Sequence, residues 1–419
     1  MSSLPVGTLS PKFRALQEAM TKFVNEECIR AEPIFEQQLG RGEGRWKREP
    51  PVVNELRAKA RALGLWNLFL PKSLYPGGHD LTNYEYGLLC EIMGRSVLGP
   101  LATNCNAPDT GNMEVLAKYG TAEQKRRWLE PLLDARIRSA FAMTEPAVAS
   151  SDATNIRTSI RRDGDEQGGE VVVINGDKWW ISNAGNPECK VFLVFGVSDL
   201  DNSDPHRRHT VVIVPADTPG VEVKRPMTVY GYDDAPYGHC EVSFVDVRVP
   251  VSNIVLGEGR GFEVIQGRLG PGRIHHCMRA VGMAERALEL MVERVQRREV
   301  FGRKLVEQGV VQDNVARSRL DIESARMMVV HAALKMDAVG TKQAMKEISM
   351  AKAQVPKLAL RVVDRAIQMF GAAGVSQDTP LAAIWAGLRT LRLADGPDEV
   401  HMRQIARLEI QEQKHKARL

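Results

Sequence analysis

The spacing of apolar positions changes twice along the chain. From about Pro11 to Arg138 they recur at helical intervals, as in Phe13, Leu16, Met20, Phe23 and Val24, the rhythm that gives a helix one apolar face. Further helices are expected near 51–63, 83–97 and 111–135, divided by loops rich in Gly and Pro such as PKSLYPGGHD. From about Ser139 to Val255 the period falls to two. Val171-Val172-Val173-Ile174 and Lys178-Trp179-Trp180-Ile181-Ser182 read as strands, and Asn175-Gly176 between them reads as a hairpin turn. VFLVFGV (191–197), HTVVIVPAD (209–217) and HCEVSFVDVRVP (239–250) add three strands with no long helix between them, which predicts an antiparallel barrel or sandwich. From about Gly261 the helical period returns. Ala280, Ala284, Ala287, Leu288, Met291 and Val295 form one stripe, and Val311, Val315, Ile322, Ala325 and Val329 form another, as in a bundle. The expected fold is α+β, with a helical domain over 1–138, a β domain over 139–255 and a four-helix bundle over 256–419.

Composition adds limits. The 419 residues suffice for two or three domains, and 43% hydrophobic with 26% charged residues describes a soluble globular chain. A net charge of +4 is small against 56 basic and 52 acidic side chains, so nothing calls for nucleic acid. The basic tail QEQKHKARL reads as a solvated helix end. Six scattered cysteines form no C-x-x-C, which fits reduced thiols and argues against a zinc ribbon. MSSLPVGTLSPKFRALQ lacks the pattern of a secretory leader, and no apolar run approaches the roughly 18 residues of a membrane helix. The expected location is cytoplasmic, or the mitochondrial or peroxisomal matrix in a eukaryote.

Several motifs have plain readings. GEGRGFEVIQGRLGPGR (257–273) has GxGxG spacing and no surrounding βαβ unit, so it is a flexible lead into a helix and not a dinucleotide fingerprint. His275-His276 has no third ligand and no metal is expected; the pair reads as polar helix surface or a minor pocket contact. Met327-Met328 reads as core. FAMTEPAVASSD (141–152) is less ordinary. It holds many small hydrogen-bonding residues and neither a strong nucleophile nor a metal ligand, which suits an ordinary polar loop or a seat for a large planar ligand. The two adjacent indoles of Trp179 and Trp180 should point to opposite faces of their strand, so one is free for a flat partner.

Taken together these segments resemble the acyl-CoA dehydrogenase family, flavoenzymes of the same α-β-α order. FAMTEPAVASSD looks like the family's T-E-P loop with one extra residue between Pro146 and Ser151, and WWISN like its W-I-T-N strand with Ser182 for Thr. Arg298 to Gly302 match its R-x-x-F-G turn, and Gln368 and Gly371 match its Q-x-x-G-G segment. MTEPxVASSDATNI, LGPGRIHHCMRxVG and RLADGPDEVH look like the subgroup sometimes fused behind a phosphotransferase-like kinase domain. The resemblance implies FAD held by Phe141, Met143, Thr144, Ser151, Trp180 and Ser182. Thr144 and Ser182 would face the ring's N5 side, and Trp180 would cover one face. It implies that Arg298, Phe301, Gln368 and Gly371 serve the FAD of a neighbouring subunit in a homodimer or homotetramer, and it also assigns Pro397 and Glu399 to the cofactor. Ser151, Arg273 and Gly396 fall to an acyl-CoA substrate, with Arg273 at the nucleotide end of CoA. Asp395 stands where the family carries its base, usually Glu. The implied reaction is α,β-dehydrogenation in fatty-acid β-oxidation, with an electron-transferring flavoprotein as acceptor. Alternatives are a nitroalkane-oxidase-like flavin oxidase, a non-catalytic flavin or CoA scaffold, and processing of a 4-hydroxy- or 4-phosphoacyl-CoA, for which His275, His276 and His401 are candidate contacts.

Overall fold

In the computed structural model, residue 9, residues 11–164 and residues 169–417 are described, with 269–271 described in their backbone alone. The first eight residues of the N-terminal segment read above as lacking a leader pattern, and the last two of the basic tail, lie outside them.

The N-terminal zone is helical: α1 Pro11–Lys22, α2 Ile29–Leu39, α3 Pro51–Ala62, α4 Asn83–Met93, α5 Leu98–Ala102, α6 Asp109–Tyr119, α7 Ala122–Gln124 and α8 Glu130–Leu133. Phe13, Met20, Phe23 and Val24 are all buried, as their spacing requires. The helix expected over 83–97 stops at Met93. Thr82 opens it with a capping box to Glu85, and a Cβ on Gly94 would sit 2.3 Å from the Arg279 carbonyl oxygen, so the chain turns where another helix crosses it.

The middle zone is β1 Arg138–Ala142, β2 Ser159–Gly164, β3 Glu170–Ser182, β4 Cys189–Val197, β5 His209–Pro215, β6 Val221–Met227 and β7 His239–Pro250. These form one seven-stranded sheet in the order β1-β4-β2-β3-β7-β6, with β5 also on β4. It is mostly antiparallel, but β1 and β2 both run parallel to β4. The strands read at 191–197, 209–217 and 239–250 are present. The hairpin read at Asn175-Gly176 is not. Asn175 lacks the positive φ such a turn needs, and β3 runs straight through, with a register shift between Ile174 and Gly176 against β7. A Cβ on Gly176 would lie 2.4 Å from the Thr158 hydroxyl oxygen, so this glycine admits a neighbouring strand and makes no turn.

The C-terminal zone opens with α9 Gly261–Arg297, then a small hairpin of β8 Glu299–Val300 and β9 Arg303–Lys304. It continues with α10 Gly309–Val339, α11 Met345–Phe370, α12 Ala372–Val375, α13 Leu381–Leu391 and α14 Asp398–Lys416. The apolar stripes of α9 and α10 are buried, apart from a half-buried Val315. Two readings need correction. The Gly-rich lead at 257–273 is helical from Gly261 onward, inside α9. Met327 is 43% exposed and only Met328 packs on the core. The two-residue hairpin with positive φ at both turn positions occurs at Phe301 (49°) and Gly302 (74°). Where helices α4, α9 and α10 meet, the buried Arg326 guanidinium donates to Glu91 at 2.8 Å and also pairs with Glu285 and Glu323. All six cysteines are buried and unpaired.

Candidate active site

Strand β1 delivers the 141–152 loop to the edge of the sheet, and β3 ties it down. The Thr144 hydroxyl donates to the Trp179 carbonyl at 2.5 Å, and the Trp179 N–H donates to the Thr144 carbonyl at 3.0 Å. The Glu145 carboxylate accepts from the backbone N–H groups of Arg157 and Thr158, both at 2.8 Å, and from the Lys178 ammonium at 2.9 Å. It is Ser150 that closes the loop, accepting from the Glu145 N–H at 2.9 Å. Ser151 sits exposed in the turn that follows.

Across this loop, β3 bulges between Lys178 and Ile181. The bulge breaks the strict alternation of the two indoles. Trp180 takes a φ of 55°, remains 39% exposed and stands edge-on to His239 at 5.6 Å. The Ser182 hydroxyl lies 2.9 Å from Nδ1 of His239, whose imidazole burial keeps neutral by pushing its pKa down. The Thr144 hydroxyl is thus already spent on the strand. Among the described residues no acceptor is placed on its N–H, which remains the free donor of this residue.

The second part is built on α9 and the loop before α14. Asp395 has a φ of 54° and Gly396 one of 102°, left-handed conformations that turn the chain sharply before Pro397 caps α14. The loop is held from three sides. Arg273 donates to the Asp395 carbonyl at 3.1 Å, His401 lies 3.3 Å from the same oxygen, and Lys352 bonds the Leu391 carbonyl and reaches that of Gly396 at 3.4 Å. Arg273, which the resemblance assigns to the nucleotide end of CoA, supports the Asp395 loop here.

The Asp395 carboxylate faces Nε2 of His276 at 3.7 Å. Burial raises its pKa, but His276, Arg268, Lys352 and Arg273 outweigh that and hold it below the ordinary carboxylate range. Burial is also the main reason the His276 pKa falls to about 4, with Asp395 opposing and Arg279, Lys352 and Arg268 adding to it. At neutral pH the pair is a carboxylate beside a neutral imidazole. His276 is not polar helix surface, and neither is His275, which is buried edge-on against Tyr86 at 4.6 Å.

Arg268 joins the two parts. Its guanidinium lies 4.2 Å over the Phe141 ring, donates to Asn112 at 3.3 Å and lies close enough to Asp395 to lower its pKa. Glu114 on α6 shares this space, and burial pushes its carboxyl up to about 8 against the pull of Arg268. Phe141, Met143, Thr144, Trp180, Ser182, Arg273, Asp395 and Gly396 belong to this region. Glu399 is exposed on α14, while Asp398 is buried and committed to Arg392 at 2.8 Å and Lys357 at 3.3 Å.

Arg298, Phe301, Gln368 and Gly371 lie elsewhere. At 1.5 Å per residue, Arg298 is about 37 Å along α9 from Arg273. It stands exposed beside the wholly exposed Phe301. Gln368 and Gly371, also exposed, end α11 at the same side of the bundle, where Arg294 lies 5.4 Å over the Phe370 ring. The candidate residues therefore form two groups within one chain. Sequence reasoning missed Arg268, Glu114, Lys178 and His239. A basic residue inside α9 and a lysine beside two tryptophans were the available signals, but neither announces its partner.

Comparison with known proteins agrees with this architecture. Three family models match in order: the acyl-CoA dehydrogenase N-terminal domain over residues 10–136, the middle domain over 140–247 and the C-terminal domain over 259–409. Acyl-CoA dehydrogenase family member 11 of Gallus gallus is 54% identical over 417 residues, which is 98% of this chain and 52% of that protein. The chain thus spans about half the length of that relative. FadE2 of Mycobacterium tuberculosis, described as a probable acyl-CoA dehydrogenase, is 49% identical over 97% of both chains. A solved structure from Mycobacterium abscessus, described as a putative acyl-CoA dehydrogenase, shares 46% identity with a TM-score of 0.92, covering 97% of this chain and 100% of the other. The order of helical, β and helical zones, the three family matches and these relatives lead to one conclusion: the chain belongs to the acyl-CoA dehydrogenase family.

Proposed function

We propose that the protein is an FAD-dependent dehydrogenase of acyl-CoA thioesters, in which Asp395 removes the α proton. The observation that carries this reading is the state of Asp395. It is an anionic, part-buried carboxylate beside a neutral imidazole, with its loop pinned by Arg273, His401 and Lys352. A base that stays ionised at working pH and is held in one place is what proton abstraction needs.

The residues of the 141–152 loop and of β3 fit a flavin. The free Thr144 N–H, the exposed Trp180 and the Ser182–His239 pair supply a backbone donor, a flat apolar face and a hydroxyl beside one another. FAD held there would accept the β hydrogen of the substrate as hydride. The chain's own contribution is to orient the ring, to exclude water with Phe141 and Trp180, and to hold the proton taken from the α carbon on Asp395. Arg298, Phe301, Gln368 and Gly371, exposed at the far end of the bundle, suit the FAD of a second subunit, so a homodimer or homotetramer completes the site. An electron-transferring flavoprotein is the proposed acceptor.

Incubating the purified protein with a panel of acyl-CoAs and an artificial electron acceptor tests this reading, with oxygen as the alternative acceptor. Flavin bleaching by an acyl-CoA is expected. Hydrogen peroxide release with a nitroalkane and no bleaching by any acyl-CoA would favour the oxidase instead. A second reading concerns the substrate. Arg268, Arg273 and Lys352 surround one carboxylate, an excess of cations that favours a 4-hydroxy- or 4-phosphoacyl-CoA over the plain thioester of equal length. Equal affinity for all three would remove it.

A further inference from the structure

Lys178 is a fully buried ammonium in a β strand, and the reaction proposed above gives it no task. Its Nζ donates to the carbonyls of Met143 at 2.8 Å and Phe195 at 2.7 Å and to the Glu145 carboxylate at 2.9 Å. The three donors of an ammonium are all used. Glu145 is equally engaged, accepting from Arg157, Thr158 and the Thr158 hydroxyl as well. Buried ion pairs are seldom retained for stability, because well-packed apolar side chains of similar volume do as well or better. The choice of acceptor is more telling. The Met143 carbonyl and the Thr144 N–H belong to the same peptide group. A charged donor on that carbonyl draws electron density along the amide and makes the N–H a stronger donor. That N–H is also the one donor of Thr144 not spent on β3.

The geometry points to Lys178, fixed by Glu145, as a positioning residue that polarises the Met143–Thr144 peptide and thereby raises the reduction potential of the flavin lying against it. This rests on the flavin reading above. A stronger N–H donor stabilises the electron-rich reduced ring more than the oxidised one. Burial pushes the Lys178 pKa down to about 8, with Glu145 opposing, so the polarising charge is lost as pH rises past that point. The other titratable groups here are Glu145, held below the usual carboxylate range against burial by Lys178 and Thr158, and His209, kept neutral by burial. Neither changes charge between pH 7 and pH 10.

The experiment uses the holoprotein. Lys178→Met and Glu145→Gln should shift the two-electron reduction equilibrium about tenfold towards the oxidised flavin, roughly 30 mV, and move the visible flavin band. In the native protein, potential and band should titrate near pH 8. Fold stability should hold or rise over the same range, since the unfolded chain binds the lysine proton more tightly than the folded one. The native titration decides the matter if the variants fail to fold. Native protein that takes up no FAD overturns the flavin reading and this inference with it. Native protein that binds FAD, with no titration near pH 8 and an unchanged potential in the variants, overturns the inference alone and leaves Lys178 a structural residue.

Discussion

Asp395 shows how much one residue depends on neighbours distant in sequence. Its carboxyl is shorter than the Glu usual in the family by one methylene, and a misplacement of about 1 Å costs on the order of 100-fold in rate. The left-handed turn at Asp395 and Gly396 re-aims the backbone that presents this shorter acid to His276. Asp395→Asn keeps the shape and removes the base. It should lower the rate of flavin reduction by about 100- to 10,000-fold, the usual weight of a general base, while FAD stays bound in an absorbance titration. Asp395→Glu should also slow the reaction, because the turn is built around the shorter side chain. The pH profile follows from the depressed pKa. A carboxylate held below its ordinary range stays competent as pH falls through 5, so rapid-reaction traces between pH 5 and pH 8 should show no loss of rate from this group. A break inside that window would mean that burial outweighs the flanking cations. The sequence offered Asp395 through one short motif. Its partner His276 lies on α9 and was read as polar helix surface or a minor pocket contact, because adjacent histidines without a third ligand carry no local signal of what they face.

The helices are mostly legible in the sequence, but their crossings are not. Helix α9 meets α4 so closely that a Cβ on Gly282 would lie 1.9 Å from the Glu91 carbonyl oxygen. Gly282→Ala should therefore destabilise the fold by about 1–3 kcal/mol or more, the cost of overpacking against backbone that cannot move aside. Gly387, inside α13, has no atom within 4 Å of where its Cβ would go. Gly387→Ala should stabilise by roughly 0.5–1 kcal/mol through helix propensity alone. Denaturant midpoints for the two variants should move in opposite directions. The same glycine-to-alanine change has opposite signs because one site is a contact between elements and the other is not. No property of either glycine in the sequence distinguishes them.

The whole molecule leaves its candidate cofactor residues in two groups, one around Asp395 and the other around the exposed turn at Phe301. If a second copy supplies the far group, Arg298→Ala removes one partner of a charge-assisted contact at a subunit interface. A loss on the order of 2–5 kcal/mol is the usual size of such a change. Weaker FAD retention on desalting and a smaller species in size-exclusion chromatography are expected together. Unchanged values for both would make Arg298 an ordinary solvated residue. Among the described residues no helix is long and apolar enough to cross a membrane.

The order of helical, β and helical zones, the runs of β4, β5 and β7 and the 141–152 loop were legible in the sequence alone, because periodicity, capping and short motifs act over a few residues. The tertiary structure decided what each segment meets. It turned Asn175-Gly176 from a hairpin into a straight run by packing Thr158 against it, and it set the Arg273 guanidinium on the carbonyl of Asp395. It also set Lys178 under the Met143 carbonyl, 35 residues away in the chain, and Arg268 between Phe141 and Asp395. Local propensity depends on a residue and its near neighbours. The charge state of a buried group depends on every element packed around it, and that is known only once the chain has folded.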